Sequence, residues 1–471
     1  MPSKYIDELG RTDAEIYLTD IYDGKIVASR HMRKLAEIML PRFHEEYHGY
    51  HFNAQKGIRV VRFVEEFTCF PEGSKMGQPF IMEQFQRAAV EMAYGFVDEN
   101  DIREFKQVLM LLARKNGKTS LLAALCLYHL TSDGNNSLGG EVYACAVSEA
   151  QARKCFGAAD SMRRHSPHLA KRIHRGMVQK RGTSGLNYPK MDSSMVALSS
   201  AVGRLDGLSA SMCCYDEVGA ATDGGALLDL IEESTSARPE PITWLITTQN
   251  YVRDNVLDER LSYAYGWLDG TIHDDTFLPL LYTLDSRDEV FVEAAWPKAN
   301  PGLLCGIKNF DYLRDRVNKA KQAPARMPSL LTKEFNLLSN AYSAFLDIND
   351  CINTETFDFS PDQTPYAIIG FDLASKGDLN ACVVRMQVPG DDRIYEFAKF
   401  WIPEESIKIN SAKDFKERDQ VPYRQWAADG WLEIVEGDRV NQLVIIEYLR
   451  ELVDMGIYPY AVAYDPWNVD D

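Results

Sequence analysis

The sequence predicts an α/β protein with two successive sheets. The first is a parallel sheet of the P-loop NTPase type (ASCE-type) with flanking helices. The second is a smaller α/β sheet of the RNase H kind, reached through a helical linker. Three observations carry this. Lys106–Ser120, KQVLMLLARKNGKTS, reads as a buried strand, a tight turn and a helix start. Ser211–Val218, SMCCYDEV, reads as a second buried strand ending in two acids. Beyond residue 365, apolar strands recur at hairpin spacing, and two of them end in aspartates.

The first stretch organises the chain. Val108 to Leu112 form an unbroken apolar run, as in a strand covered on both faces. After the turn, Leu121, Leu122, Leu125, Leu127 and Leu130 recur at helical spacing until Asp133-Gly134. Arg114, Lys115, Asn116, Gly117, Lys118, Thr119 and Ser120 are therefore the candidate nucleotide-binding run. Gly117 lets the backbone approach an anionic oxygen, and the free N–H groups of the helix start point at phosphates. Lys118 can reach the β and γ phosphates, and the Thr119 hydroxyl can serve Mg2+. One position departs from GxxxxGK[ST]: the first glycine is Leu112.

The other elements follow in order. Residues 1–70 are expected to be a mostly helical N-terminal region, with Val27–Leu40 amphipathic. His44–His48 fits HExxH. Pro41 and Gly49 flank it too closely for one helix to carry both histidines, so it is not read as a zinc site. Residues 71–255 are assigned to the ATPase domain. Within it, Gln86 sits at the start of an amphipathic helix about thirty residues before the turn, where an amide can read adenine. Glu141–Val147 is a further strand and Ser148–Asp160 opens a helix. Asp216 would hold Mg2+ and Glu217 would polarise the attacking water. Ile242–Gln249 is a strand whose polar end, Thr247, Thr248 and Gln249, would face the ligand crevice and sense the γ-phosphate.

Residues 256–360 read as a polar, helical linker broken by Trp296-Pro297, Asn300-Pro301 and Pro324. Residues 361–471 read as the RNase H-like domain, with strands at Tyr366–Ala374, Ala381–Val388, Ile394–Trp401 and Pro459–Asp465. Asp372 and Asp465 end two of these strands, and Asp378 follows the first. Together they form the candidate set for a two-metal phosphodiesterase site using Mg2+ or Mn2+.

Composition limits the partners. The 471 residues are 45% apolar and 25% charged, as in an ordinary globular protein, and no run approaches bilayer-spanning length. No membrane partner and no secretory leader are expected. Nine cysteines without a CxxC pair argue against zinc ribbons and disulfide frameworks. The net charge of −18 is unusual for a nucleic-acid partner. A local basic surface suffices, however, and Arg153–Arg181 carries nine Lys and Arg against Asp160 alone. A solvated helical face is the other reading of that stretch.

Taken together, these motifs resemble the large terminase subunit of tailed bacteriophages, in the branch whose P-loop reads ARKNGKT or ARKNGKS. The stretches that carry it are YLTDIYDGKIVASRHMRKLAE, PFIMEQFQ, LLARKNGKTSLLAAL, DGLSASMCCYDEV, LITTQN, EFNLLSNA and GFDLASKGDLNA, in that order. That family tolerates the lost first glycine. The resemblance implies an ATP-driven motor that translocates viral double-stranded DNA into a procapsid and cuts concatemers. It implies a homo-oligomeric ring, a pentamer, docked on the portal protein and assisted by a small terminase subunit. It places the protein in the cytoplasm of the infected bacterial host, transiently on the procapsid and not in the mature virion. It transfers the hydrolytic roles to Lys118, Thr119, Asp216 and Glu217, and adenine to Gln86. Arg114 would touch the γ-phosphate in cis, and Arg153 is the candidate arginine supplied to a neighbour.

The family carries a third nuclease aspartate in a later segment, so the sequence as given is expected to hydrolyse ATP and to cut DNA poorly. Strong Mn2+-dependent cleavage would overturn that expectation. A different class, a helicase-like remodelling ATPase with a C-terminal binding module, would need a second motor sheet. Residues 251–471 offer no second P-loop for one.

Overall fold

The computed structural model describes residues 4–199, 207–220, 225–250, 255–338, 357, 365–374, 378–407 and 423–464. The chain divides into two compact units, Met1–Ser343 and Ala344–Asp471.

In the first unit, two short strands, β1 (His51–Phe52) and β2 (Phe96–Val97), pair antiparallel. The main sheet comprises β3 (Gln107–Leu111), β4 (Glu141–Ala146), β5 (His174–Val178), β6 (Thr183–Tyr188), β7 (Ser193–Ser199), β8 (Ala210–Asp216), β9 (Ile242–Thr247) and β10 (Phe277–Leu281). Their spatial order is β10-β3-β9-β8-β4-β7-β6-β5. From β10 to β7 every pairing is parallel, and β6 and β5 extend the far edge antiparallel. Because β9 lies between β3 and β8, the phosphate turn, the polar strand end and the acidic pair come to one edge of the sheet. That edge is the ligand-binding side of an open parallel sheet.

The parallel strands are apolar along nearly their whole length because helices cover both faces. Helix Lys118–Thr131 is buried almost throughout. The N-terminal helices Asp13–Tyr22, Arg30–Met39 and Ala54–Phe67 send Leu18, Leu35 and Val61 into the same continuous core as Val108 and Trp244. Under β8, the sulfurs of Cys126 and Cys155 lie 3.5 and 3.4 Å from that of Cys214, packed as small apolar groups.

Several sequence expectations change here. The segment read as a helical linker supplies a core strand, β10, parallel to β3. The strand contains a proline, Pro279. As the edge strand, β10 keeps one side free of ladder bonds, so a missing N–H is tolerated. The hairpin strands β5 and β6 were not foreseen because they are short and polar, and their neighbour β7 because its apolar run spans only Met195–Leu198. As expected, His44 and His48 do not share a helix: they bond separately to Glu15 and Asp275, and His48 has φ of 50°. The basic stretch is partly self-neutralised, with Arg163 and Arg175 on Asp160, Arg181 on Glu141 and Arg153 on Glu149.

Residues 284–335 build a separate small core around Trp296, Leu313, Leu331 and Phe335. In the second unit, β11 (Tyr366–Asp372), β12 (Asn380–Gln387), β13 (Ile394–Pro403), β14 (Glu433–Val435) and β15 (Tyr458–Tyr464) are ordered β14-β13-β12-β11-β15. The three long strands form an antiparallel meander, and helix Gln442–Asp454 crosses over to place β15 parallel to β11.

Candidate functional site

The turn after β3 is shaped by two left-handed residues. Gly117 has φ of 81°, which favours glycine, and a Cβ there would lie 2.9 Å from Gln86 Nε2, so the end of that side chain would have to shift. Lys115 adopts φ of 62° without being glycine, an uncommon state that costs about 1–2 kcal/mol. Helix Lys118–Thr131 then begins with Gly117 as its N-cap, so Lys118, Thr119 and Ser120 form its first turn with N–H groups lacking helical acceptors. Leu112 fits without strain. Its N–H donates to Thr247 O at 3.0 Å, continuing the ladder to β9, and its carbonyl accepts the Lys118 ammonium at 2.6 Å.

Lys118 is 9% exposed. Burial lowers its pKa to about 8, while the nearby carboxylates of Glu217 and Asp216 oppose the shift. Asp216, at the end of β8, is pushed up to about 6 by burial, against the attraction of Lys118. Lysine and acids thus feel one another across the same cleft. Glu217 follows with φ of 59°, held by its N–H donating to Ile246 O at 2.8 Å. Its Oε2 accepts from the Thr248 hydroxyl at 3.2 Å. Strain in a non-glycine residue fixed on both sides is typical of a reacting centre.

The remaining candidates are distributed as follows. Gln86 is 1% exposed, and its Oε1 accepts from Glu83 N–H at 3.0 Å in a capping box, while its Nε2 faces Gly117. Arg114 and Lys115 are exposed, and Arg114 is close enough to Lys118 to depress its pKa. Asn116 is 0% exposed, and its side chain is turned into the protein. Arg153 lies on the outside of helix Glu149–His165, paired with Glu149, whereas its neighbour Lys154 acts on Asp216. The sequence reading missed Lys154. It also missed Asn300, Lys308, Lys333 and Glu334, which bond to the turn or to one another beside it, and Asn336, which bonds to Gln249 just after β9. Asn300 had been read only as a helix breaker.

In the second unit, Asp372 ends β11 and is exposed. Asp378 is exposed as well, its Oδ1 accepting from Leu379 N–H at 2.8 Å. Tyr464, the last described residue of β15, is registered with Phe371, the neighbour of Asp372. Asp465 lies outside the described residues.

Burial disfavours the charged Asp216 carboxylate, which a divalent cation would favour, and Thr119 directly follows Lys118, which feels Asp216, so Asp216 and Thr119 fit a metal-nucleotide. The fold and site define a P-loop ATPase joined to an RNase H-like sheet. Residues 84–266 match the terminase large subunit ATPase domain and residues 271–471 the terminase large subunit endonuclease domain. The large terminase subunit of Enterobacteria phage HK97 is 26% identical over 427 residues, covering 88% of this chain and 78% of that protein. Protein YmfN of Escherichia coli strain K12 is 26% identical over 253 residues, covering 51% of this chain and 54% of that protein. The crystal structure of the HK97 large terminase matches with a TM-score of 0.51 at 22% identity, over 87% of this chain and 80% of that one. The chain belongs to the terminase large subunits, ATP-driven motors that package viral DNA and cut concatemers.

Proposed function

We propose that ATP binds as a Mg2+ complex at the edge formed by β3, β9 and β8, and that its hydrolysis drives double-stranded DNA translocation. The observation that carries this is geometric: the turn after β3, with buried Lys118, and the acidic pair Asp216-Glu217 after β8 open on one sheet edge with only β9 between them, and Lys118 and Asp216 shift each other's pKa there. Lys118 leaves the Leu112 carbonyl for the β and γ phosphates, and the N–H groups of Gly117 to Ser120 cradle them. Thr119 and Asp216 would hold the cation, which would supply charge neutralisation at the phosphates. Glu217 accepts a proton from the attacking water, oriented by Thr248. Arg114 reaches the γ-phosphate in cis, and Arg153, on the exposed side of its helix, serves a neighbouring subunit. Gln86 presents its amide nitrogen, Nε2, beside the turn, where adenine would be read.

Cutting is assigned to Asp372, Asp378 and Asp465 with Mg2+ or Mn2+. Family membership supports a ring on the portal protein, a small terminase partner, and action in the host cytoplasm and on the procapsid. Among the described residues, no helix is long and apolar enough to cross a membrane.

Steady-state ATPase assays on Lys118→Ala and Glu217→Ala test the reading. Each variant is expected to lose about 100-fold or more in turnover. Unchanged turnover in both would refute it.

A further inference from the structure

The phosphate turn of this chain opens on Leu112 rather than glycine, and buried side chains from a distant segment hold its shape. Asn116 Nδ2 donates to the carbonyls of Ala113 at 3.0 Å and Arg114 at 3.2 Å, and to Asn300 Oδ1 at 3.1 Å. Its Oδ1 accepts from Gly302 N–H at 3.0 Å, leaving that amide no freedom to turn outward. Lys308 reaches the same place: its Nζ donates to Arg114 O at 3.1 Å, Asn300 Oδ1 at 2.6 Å and Glu334 Oε2 at 2.6 Å. The Arg114 N–H donates to Lys333 O at 3.1 Å. Asn300 Nδ2 closes the network on Glu334 O at 2.7 Å. The Lys308 side chain is 1% exposed and that of Glu334 3%, so this is a desolvated ion pair spent on one loop carbonyl. Burial lowers the pKa of Lys308, and the Glu334 carboxylate opposes that shift.

A turn binds anions through converging N–H groups, and a carbonyl pointed at the phosphates would repel them. Here the Arg114 carbonyl is drawn into the clamp. We propose that Lys308 and Asn300 are positioning residues for nucleotide binding, holding the Arg114 carbonyl away from the phosphates in a turn that lacks its first glycine. This rests on the reading of that turn as the ATP site. The same segment also grips the polar end of β9. Lys333 Nζ donates to Gln249 O at 3.2 Å, and Asn336 Oδ1 accepts from Gln249 N–H at 3.1 Å. Movement at either place is therefore felt by both.

Fluorescence titration of the full chain with mant-ATP tests the proposal. Lys308→Met/Glu334→Gln removes both charges together, so neither is left buried alone. Asn300→Leu removes the acceptor for Lys308 and Asn116, whereas Asn300→Asp keeps it, and both lose the bond donated to Glu334 O. The double variant and Asn300→Leu should each weaken mant-ATP by about tenfold or more, and Asn300→Asp should stay within about threefold of the parent. Arg314→Ala, which removes an exposed ion pair with Glu293 on the same segment, should change nothing. The Leu and Asp variants should melt together, which separates loop positioning from general stability. Affinities within about twofold of the parent for both the double variant and Asn300→Leu would overturn the clamp. Parent protein that binds mant-ATP no better than Lys118→Ala would instead overturn the site itself.

Discussion

The two carboxylate-bearing strand ends of this chain are built in opposite ways. At the end of β8, Asp216 and Glu217 are half-buried: desolvation shifts Asp216 and Lys118, Glu217 has a positive φ, and Thr248 and Ile246 hold it. At the end of β11, Asp372 and Asp378 are open to water, and every residue of the neighbouring strand β15 is exposed. On the roles proposed for them, the difference follows from what each site has to organise. A phosphoryl-transfer site works by preorganised charge, which is strong only where water is excluded. Exposed carboxylates gain their order from the cations they bind.

This contrast can be broken or sharpened by substitution. The largest effect is expected at Gly117→Ala, where positive φ and the 2.9 Å approach to Gln86 combine. ATPase turnover should fall about 100-fold or more, and chemical denaturation should show a loss of about 1–2 kcal/mol. Next comes Thr248→Val, which removes the hydroxyl on Glu217. Its kcat should drop about tenfold with KM nearly unchanged, and Thr248→Ser should restore it. Equal loss in both variants would show that packing alone matters there.

A smaller effect concerns pH. Burial holds the Lys118 ammonium at about 8 in the free protein, and phosphate needs it protonated. ATP affinity should be level below about pH 7 and weaken by up to about tenfold per unit above 8. Lys118→Met should abolish that slope. The smallest effect is expected at Gly370→Ala on β11, where φ is not positive and nothing lies within 4 Å of an added Cβ. Stability should stay within about 1 kcal/mol of the parent by denaturation. A loss as large as that at Gly117 would mean that the second sheet is as tightly constrained as the first.

Much of this was legible in the sequence where chemistry and periodicity coincide. The apolar run before Ala113, the helix after Gly117 and the apolar strand ending in Asp216-Glu217 each carry a local signal, and the structure has elements there. The strands from Tyr366 to Trp401 were also readable from their apolar runs and hairpin spacing. What stayed hidden depends on distant partners. Pro279 argues against a strand unless β10 is known to be an edge. Asn300-Pro301 looks like a break in a helical linker. Only the fold brings Asn300 within 3.1 Å of Asn116, across 184 residues of chain. Gln86 drew attention as a base reader, yet its capping of Glu83 and its contact with Gly117 need coordinates. Strand β14 is only three residues long, too short for any periodicity to mark it.

The most direct test of the contrast is the ATPase rate of Glu217→Gln and Asp372→Asn measured side by side on the full chain. The account predicts that Glu217→Gln falls about 100-fold or more while mant-ATP binding persists, and that Asp372→Asn matches the parent. Equal rates for all three proteins, or equal losses in both variants, would contradict it.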